Sequence, residues 1–267
     1  MSRAMGGERT SRPASGDGAP VRVEEAGGAL VVSLHRPPLN VLDLPTIRAL
    51  HAALAPLPAR RDLKVLVLRS DLDRAFSAGV DVRDHSRERA PEMLETFHAV
   101  FRLMDALPQV TLAAVDGPCL GGGCELAVFC DVVLATPRAT FGQPEIDVGC
   151  FPPVAVVLLP RLIGRAAFKM VLTGAPVSAH EAERIGLITR VVDDVDRETR
   201  WWVERLSAKS GVALAAARKA LRRAEGGFDR ALAEAERIYR EELLPSEDVE
   251  EGIRAFLEKR PPRWRDG

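Results

Sequence analysis

The run Gly121-Gly122-Gly123-Cys124-Glu125, set directly against the apolar stretch Leu126-Ala127-Val128-Phe129-Cys130, constrains this chain more than any other segment. Residues without a β-carbon let the backbone come close to a ligand and turn its N–H groups outward. A helix that starts here carries unpaired N–H groups and a positive dipole end into whatever lies in front of it. That is a place to hold developing negative charge, with a carboxylate one turn away. Taken alone, the run reads as a Gly-rich loop entering a buried helix, with Glu125 as a capping carboxylate. It fails the common phosphate-loop patterns. G-x-G-x-x-G needs a glycine where Leu126 stands, and no Gly-Lys-Ser/Thr is present.

Around this run the hydrophobic period switches back and forth. Residues 21–25 and 29–35 read as a strand pair joined at Gly27-Gly28. Residues 44–57 carry helical spacing through Ile47, Leu50, Leu54 and Leu57. Residues 63–68 form a β-branched run typical of a buried strand. Residues 91–107 put Met93, Phe97, Val100, Phe101 and Met104 on one helical stripe. Strands are expected again at 109–115 and 131–135, so the pattern predicts an α/β core with buried, mostly parallel strands. From Leu158 onward nearly everything reads helical, with stops at Gly174, Gly186, Gly211, Gly226-Gly227 and Pro245. The expected organisation is a disordered tail over 1–20, a core domain over 21–195 and a helical region over 196–267. That last region packs on the core or on a neighbouring subunit.

With 267 residues the chain can bury a substantial core. Lys plus Arg number 37 against 38 Asp plus Glu, a net charge of −1, so no basic field suggests nucleic acid. No apolar run reaches membrane-spanning length. The first 20 residues are rich in Gly, Ser, Arg and Pro without an apolar segment, unlike a secretory signal. Arg3, Arg9 and Arg12 hint at a mitochondrial presequence, but Glu8, Asp17 and the glycines argue against it, and a cytoplasmic protein is expected. Cys119, Cys124, Cys130 and Cys150 form no CxxC pair and have apolar neighbours, so they read as buried free thiols with no metal site. The histidines, 35, 51, 85, 98 and 180, show no ligand spacing and read as structural or surface residues.

A second loop of small residues, Ser77-Ala78-Gly79-Val80-Asp81, follows the strand at 63–68. Adjacent parallel strands would bring it and the glycine run to the same carboxyl edge of a sheet. One N–H group from each loop would then share one oxygen, as an oxyanion hole does. Glu145 follows Glu125 by 20 residues, in the turn Phe141-Gly142-Gln143-Pro144-Glu145. Two glutamates and an oxyanion hole suit chemistry at the α and β carbons of an acyl thioester, one carboxylate taking a proton and the other supplying one. Singly, Glu145 is equally a solvated turn residue. Asp81 and Asp131 read as turn or cap residues, and Trp201-Trp202 and Phe228 as core or interface contacts.

The strings FSAGVDV, GPCLGGGCELAVFCD and ATFGQPEIDVG resemble the enoyl-CoA hydratase/isomerase (crotonase) family, over residues 21 to 264. The resemblance implies a spiral of ββα units with a C-terminal helical region, assembled as a homotrimer or as a hexamer of two trimers. It implies an acyl-CoA thioester substrate, coenzyme A being part of that substrate, with no further cofactor and no metal. Carried over by position, it makes Glu125 and Glu145 the catalytic pair and gives the oxyanion hole the N–H groups of Ala78 and Gly122, each worth roughly 3–4 kcal/mol. Ala78, Gly79, Val80 and Asp81 would line the thioester site. Phe256 and Lys259, in AFLEKR, would meet the adenine and phosphate end of CoA, although Lys259 reads equally well as a solvated helix-end charge. The implied reaction is syn addition of water to an α,β-unsaturated acyl-CoA. Double-bond isomerisation is the second reading, and a non-catalytic CoA- or RNA-binding protein the third. Retention of both glutamates argues against the silent form, and the near-zero net charge against RNA.

The chain departs from the family pattern after Glu145. Where common members carry a Gly-rich segment, this one has Pro152-Pro153-Val154-Ala155-Val156-Val157-Leu158-Leu159-Pro160. Pro153 has no N–H, so a water contact made by the usual glycine is expected to be lost, which suits an isomerase. The strings RPPLN, GCFPP with LLPR, and EELLPSEDVEEGIRAFLEKRPPRW are similar to the cyclohexa-1,5-diene-1-carbonyl-CoA hydratase subgroup. Asp81, by contrast, matches ordinary hydratases.

Overall fold

The computed structural model describes residues 18–224 and 226–266. The expected tail therefore lies almost entirely outside the described residues. The chain opens with the hairpin β1 (Val21–Ala26) and β2 (Ala29–Leu34). Gly27 and Gly28 turn it at φ +59° and +86°, a backbone that favours glycine. Helix α1 (Leu44–Leu54) starts where the Asp43 carboxylate accepts the Thr46 N–H at 3.0 Å. Then come β3 (Val65–Ser70), α2 (Ala90–Ala106) and β4 (Val110–Val115). Next are β5 (Pro118–Leu120), α3 (Gly122–Val128), β6 (Val132–Ala135) and β7 (Thr140–Gly142). Beyond them lie α4 (Pro153–Ile163), α5 (Ala166–Thr173), β8 (Val177–Ser178), α6 (Ala179–Arg184) and β9 (Arg190–Val191). Helices α7 (Val195–Ser207), α8 (Gly211–Ala224), α9 (Phe228–Ile238) and α10 (Glu247–Leu257) follow.

Six strands form one sheet in the order β1-β2-β3-β4-β6-β9, parallel throughout except for the β1–β2 hairpin. Both faces are covered. Leu66 and Leu68 of β3 join the large core with Leu50 and Leu54 of α1 and Phe97, Phe101 and Met104 of α2. Val65 and Val67 point the other way and pack with Leu112, Leu134 and Val203 of α7. A strand buried on both faces has no polar alternation to display, which is why residues 63–68 read as a continuous apolar run. A second, three-stranded sheet, β5-β7-β8, has strands of only two or three residues. Such pieces are too short for a period-2 signal, and the sequence showed none of them.

The C-terminal helices are tied back to the core. Arg218 of α8 is 4% exposed, its Nε donates to Asp131 Oδ2 at 2.6 Å, and its terminal nitrogens donate to the Met104 and Leu107 carbonyls at the end of α2. Helix α10 lies backbone to backbone on the turn 144–148. A β-carbon at Gly252 would stand 2.3 Å from the Val148 carbonyl oxygen. Gly252→Ala should therefore cost about 1–3 kcal/mol and lower Tm by roughly 2–4 °C per kcal/mol in a thermal melt. An unchanged melt would mean that α10 can lift off this turn freely. Among the described residues no helix is long and apolar enough to cross a membrane.

Candidate active site

Strands β3 and β4 are hydrogen-bonded neighbours, and the segments that follow them meet beyond their carboxyl ends. The loop after β3 is held between two stretches of backbone. On one side the Phe76 N–H donates to Pro118 and the Leu120 N–H to Ser77, both at 2.9 Å. On the other side Leu42 pairs with Val80 in a parallel bridge, with Leu42 N–H donating to the Gly79 carbonyl at 2.8 Å and Asp81 N–H to the Leu42 carbonyl at 3.2 Å. In such a bridge the flanking groups face the partner, so the N–H of Val80 itself faces away from Leu42. No described residue accepts a hydrogen bond from it.

This bridge corrects one assignment. The N–H of Ala78 donates to the Leu39 carbonyl at 2.9 Å and is not free for a ligand. Val80 is the loop residue with an open N–H. It also lies against the other loop, since a β-carbon on Gly122 would stand 2.8 Å from Val80 Cγ2. Gly122 is the first residue of α3, and its N–H has no acceptor among the described residues. Gly79, at φ +94°, brings the two loops into backbone contact, because a β-carbon there would stand 3.3 Å from the Gly122 nitrogen. The pair of open donors is thus Val80 and Gly122.

Glu125 sits in the first turn of α3 and is 2% exposed. Its Oε1 accepts the Ala155 N–H at 2.7 Å, and the Val154 N–H also acts on it. These are first-turn donors of α4, which starts at Pro153 and not near Leu158. The expected loss at Pro153 is therefore smaller than the sequence suggested. Proline suits the first helical position, where its N–H would have no intrahelical partner anyway. The N–H groups just after it still hold a carboxylate. Burial pushes the Glu125 carboxyl up to about 7, and the two N–H groups oppose that shift.

Glu145 stands in the 3-10 turn Pro144–Val148 that follows β7. The Cys150 N–H closes the turn on the Glu145 carbonyl at 3.0 Å. Gly121 is required twice over: it has φ +52°, and a β-carbon there would stand 2.7 Å from Glu145 Oε1. Glu145 as a residue is partly exposed, but its Oε2 is buried without a hydrogen-bond partner. Burial first, and then the charge of Glu125, hold its carboxyl well above the usual range. Two carboxyl groups that raise one another's proton affinity at the foot of two open N–H donors can hold one proton between them and exchange it with a ligand.

A supporting layer went unread in the sequence. Asn40 is fully buried at φ +51°; its Nδ2 donates to the Phe76 carbonyl at 3.0 Å and to Ser70 Oγ at 2.8 Å. Ser77 Oγ donates to the Asn40 carbonyl at 2.7 Å and accepts the Gly79 N–H at 3.1 Å. These bonds fix the bend that aims Val80. A non-glycine residue with positive φ is mostly Asn or Asp, so Asn40 was the available signal. Asp81 caps the 3-10 turn Val82–His85 through the Arg83 N–H at 3.0 Å. Phe256, 56% exposed, and Lys259 stand on the surface at the end of α10.

A buried carboxylate pair beside two convergent, unpaired backbone donors belongs to enzymes that move protons next to a developing oxyanion. Residues 24–267 match the family model described as enoyl-CoA hydratase/isomerase, and the chain belongs to that family. It is 35% identical to the cyclohexa-1,5-dienecarbonyl-CoA hydratase of Thauera aromatica, over 92% of this chain and 96% of the relative. It is 33% identical to the crotonyl-CoA hydratase of Syntrophomonas wolfei, over 86% and 92% of the two chains. Among solved structures, an enoyl-CoA hydratase from Mycobacterium avium subsp. paratuberculosis superposes with a TM-score of 0.84 at 30% identity, covering 93% of this chain and 99% of that one. The expected crotonase-like α/β fold with C-terminal helices is thereby established.

Proposed function

We propose that this protein is an enoyl-CoA hydratase in which Glu125 and Glu145 add water across the 2,3-double bond of an acyl-CoA. The observation that carries the reading is the buried, unpartnered Oε2 of Glu145 in a site where Glu125 is also buried and held by helix N–H groups. The thioester oxygen takes the N–H groups of Val80 and Gly122, which strengthen as it becomes enolate-like. A water lies between the carboxyls. The ionised one accepts a water proton as the oxygen bonds to C3, and the protonated one delivers a proton to C2 on the same face, so one water is consumed and the carboxyl pair ends with the protons exchanged. This requires no metal, redox group or separate cofactor. The isomerase reading rested on a lost water contact at Pro153, and the N–H groups that hold Glu125 weaken that support.

The acyl group is proposed to be either linear or the cyclic dienoyl group handled by the Thauera relative. Parallel hydration assays with crotonyl-CoA and cyclohexa-1,5-diene-1-carbonyl-CoA decide between them. Turnover of the linear thioester far above the cyclic one removes the cyclic assignment; hydration of neither removes the hydratase reading. Phe256 and Lys259 are assigned to the distal end of CoA, and the active form to a cytoplasmic homotrimer or hexamer. Exposed Phe168 and Leu172 on α5 support an assembled form, being large apolar side chains with no cover within the chain.

The acidity of the pair sets the pH profile. Reaction needs one carboxylate and one carboxylic acid, so kcat/KM should rise as the first proton leaves near pH about 7 and fall at higher pH as the second leaves. Stability should run the other way. A carboxyl whose pKa is raised in the folded state holds a proton that the unfolded chain has already released. Stability is then full below about 4.5 and declines as pH rises toward about 7. A pH-rate profile with no limb near neutrality would remove the assigned coupling.

A further inference from the structure

Tyr239 is the one tyrosine of the chain. It is fully buried, and its hydroxyl has no hydrogen-bond partner. Buried hydroxyls are nearly always paired, so an orphan marks a missing partner. Its position is set by an irregularity. Tyr239 opens the π-helical turn Tyr239–Leu243 after α9, closed by the Leu244 N–H on the Tyr239 carbonyl at 2.9 Å. A π turn admits one extra residue into a helix and re-aims the side chains there. The ring packs edge-on against Phe151 at 5.2 Å, and the hydroxyl lies beside the Cys150 thiol, a weak partner. Cys150 and Phe151 belong to the short link between the Glu145 turn and the start of α4, so Tyr239 sits under the segment that joins one carboxylate to the donors of the other. Both glutamate charges act on it, and together with burial and Cys150 they disfavour its ionisation. It therefore stays a hydrogen-bond donor over the working pH range. The orphan acceptor nearest in the chain to this link is Glu145 Oε2.

We propose that Tyr239 is a positioning residue whose hydroxyl donates to the oxygen held between Glu125 and Glu145, the water before reaction and the 3-hydroxyl of the product after it. One oxygen there satisfies the orphan donor and the orphan acceptor together and leaves its lone pair aimed by three groups instead of two. This rests on the hydratase reading. No described residue other than Cys150 competes for the hydroxyl.

A two-arm experiment on the full chain tests it. In the kinetic arm, Tyr239→Phe should lower kcat about tenfold with KM changed less than about twofold, and should not lower Tm, since the hydroxyl has no protein partner to lose. In the second arm, ¹³Cζ-tyrosine labelling gives a single NMR signal. It should move on addition of 3-hydroxybutyryl-CoA and stay in place with butyryl-CoA, which lacks the hydroxyl. Parent-like kcat in Tyr239→Phe, or a signal that responds equally to both thioesters, overturns the proposal while leaving the hydratase reading standing. A parent protein that hydrates no enoyl-CoA removes the hydratase reading, and the signal's response to the hydroxyl then decides Tyr239 alone.

Discussion

Glu125→Gln and Glu145→Gln should each lower kcat for hydration by about 10²- to 10⁴-fold while leaving the KM for the thioester nearly unchanged. Glutamine keeps the size and a hydrogen-bonding oxygen. At position 125 it can still accept the Ala155 N–H, so the fold and the helix contact survive. What is lost is the capacity to take or give a proton. The double variant should be little worse than the poorer single one, because groups that act as a unit fail as a unit. Each replacement should also raise Tm at neutral and higher pH, since it removes a buried carboxylate that burial, and for Glu145 also its neighbour, disfavours in the ionised form. A gain in stability with a loss of rate is the signature of a site that stores unfavourable charge for use. Equal losses of rate and stability would instead mark these residues as structural.

Gly122→Ala should be the second large effect, a loss of about 10²- to 10³-fold in kcat. The added methyl would stand 2.8 Å from both Phe97 Cζ and Val80 Cγ2. It cannot be absorbed without moving the Val80 loop away from α3, and that separates the two open N–H groups by the distance on which their shared acceptor depends. Pairing it with Val80→Ala removes one of the two clashes while retaining both backbone donors, so the double variant should recover part of the lost rate. Val80→Ala alone should lose little. A Gly122→Ala protein with parent activity would show that these two N–H groups do not share a substrate oxygen.

Much of this site could be read before the fold was known, and the failures have specific causes. The glycine run and the Phe141–Glu145 turn were legible because each demands an unusual local backbone, and local demands are written in residue type. The α/β core was legible because its strands are apolar on both faces. The donor at Val80 was misassigned to Ala78 because the direction of an N–H depends on the strand it pairs with, here Leu42, and no composition rule reports that pairing. The helix start at Pro153 was misjudged for a different reason. A missing N–H is a loss in a loop but none at the first position of a helix, and the apolar stretch after it concealed the boundary. The π turn at Tyr239 leaves no mark in hydrophobic spacing, because one extra residue at the end of a helix looks like ordinary fraying.

The most direct test of the central claim is reaction in water enriched in oxygen-18, with crotonyl-CoA and the cyclic dienoyl-CoA as substrates, followed by mass analysis of the product thioesters. A carboxylate pair that adds water predicts a hydroxyacyl-CoA carrying one solvent oxygen, formed by the parent protein and nearly absent with Glu125→Gln and Glu145→Gln. A product whose double bond has moved and which carries no solvent oxygen would contradict the account.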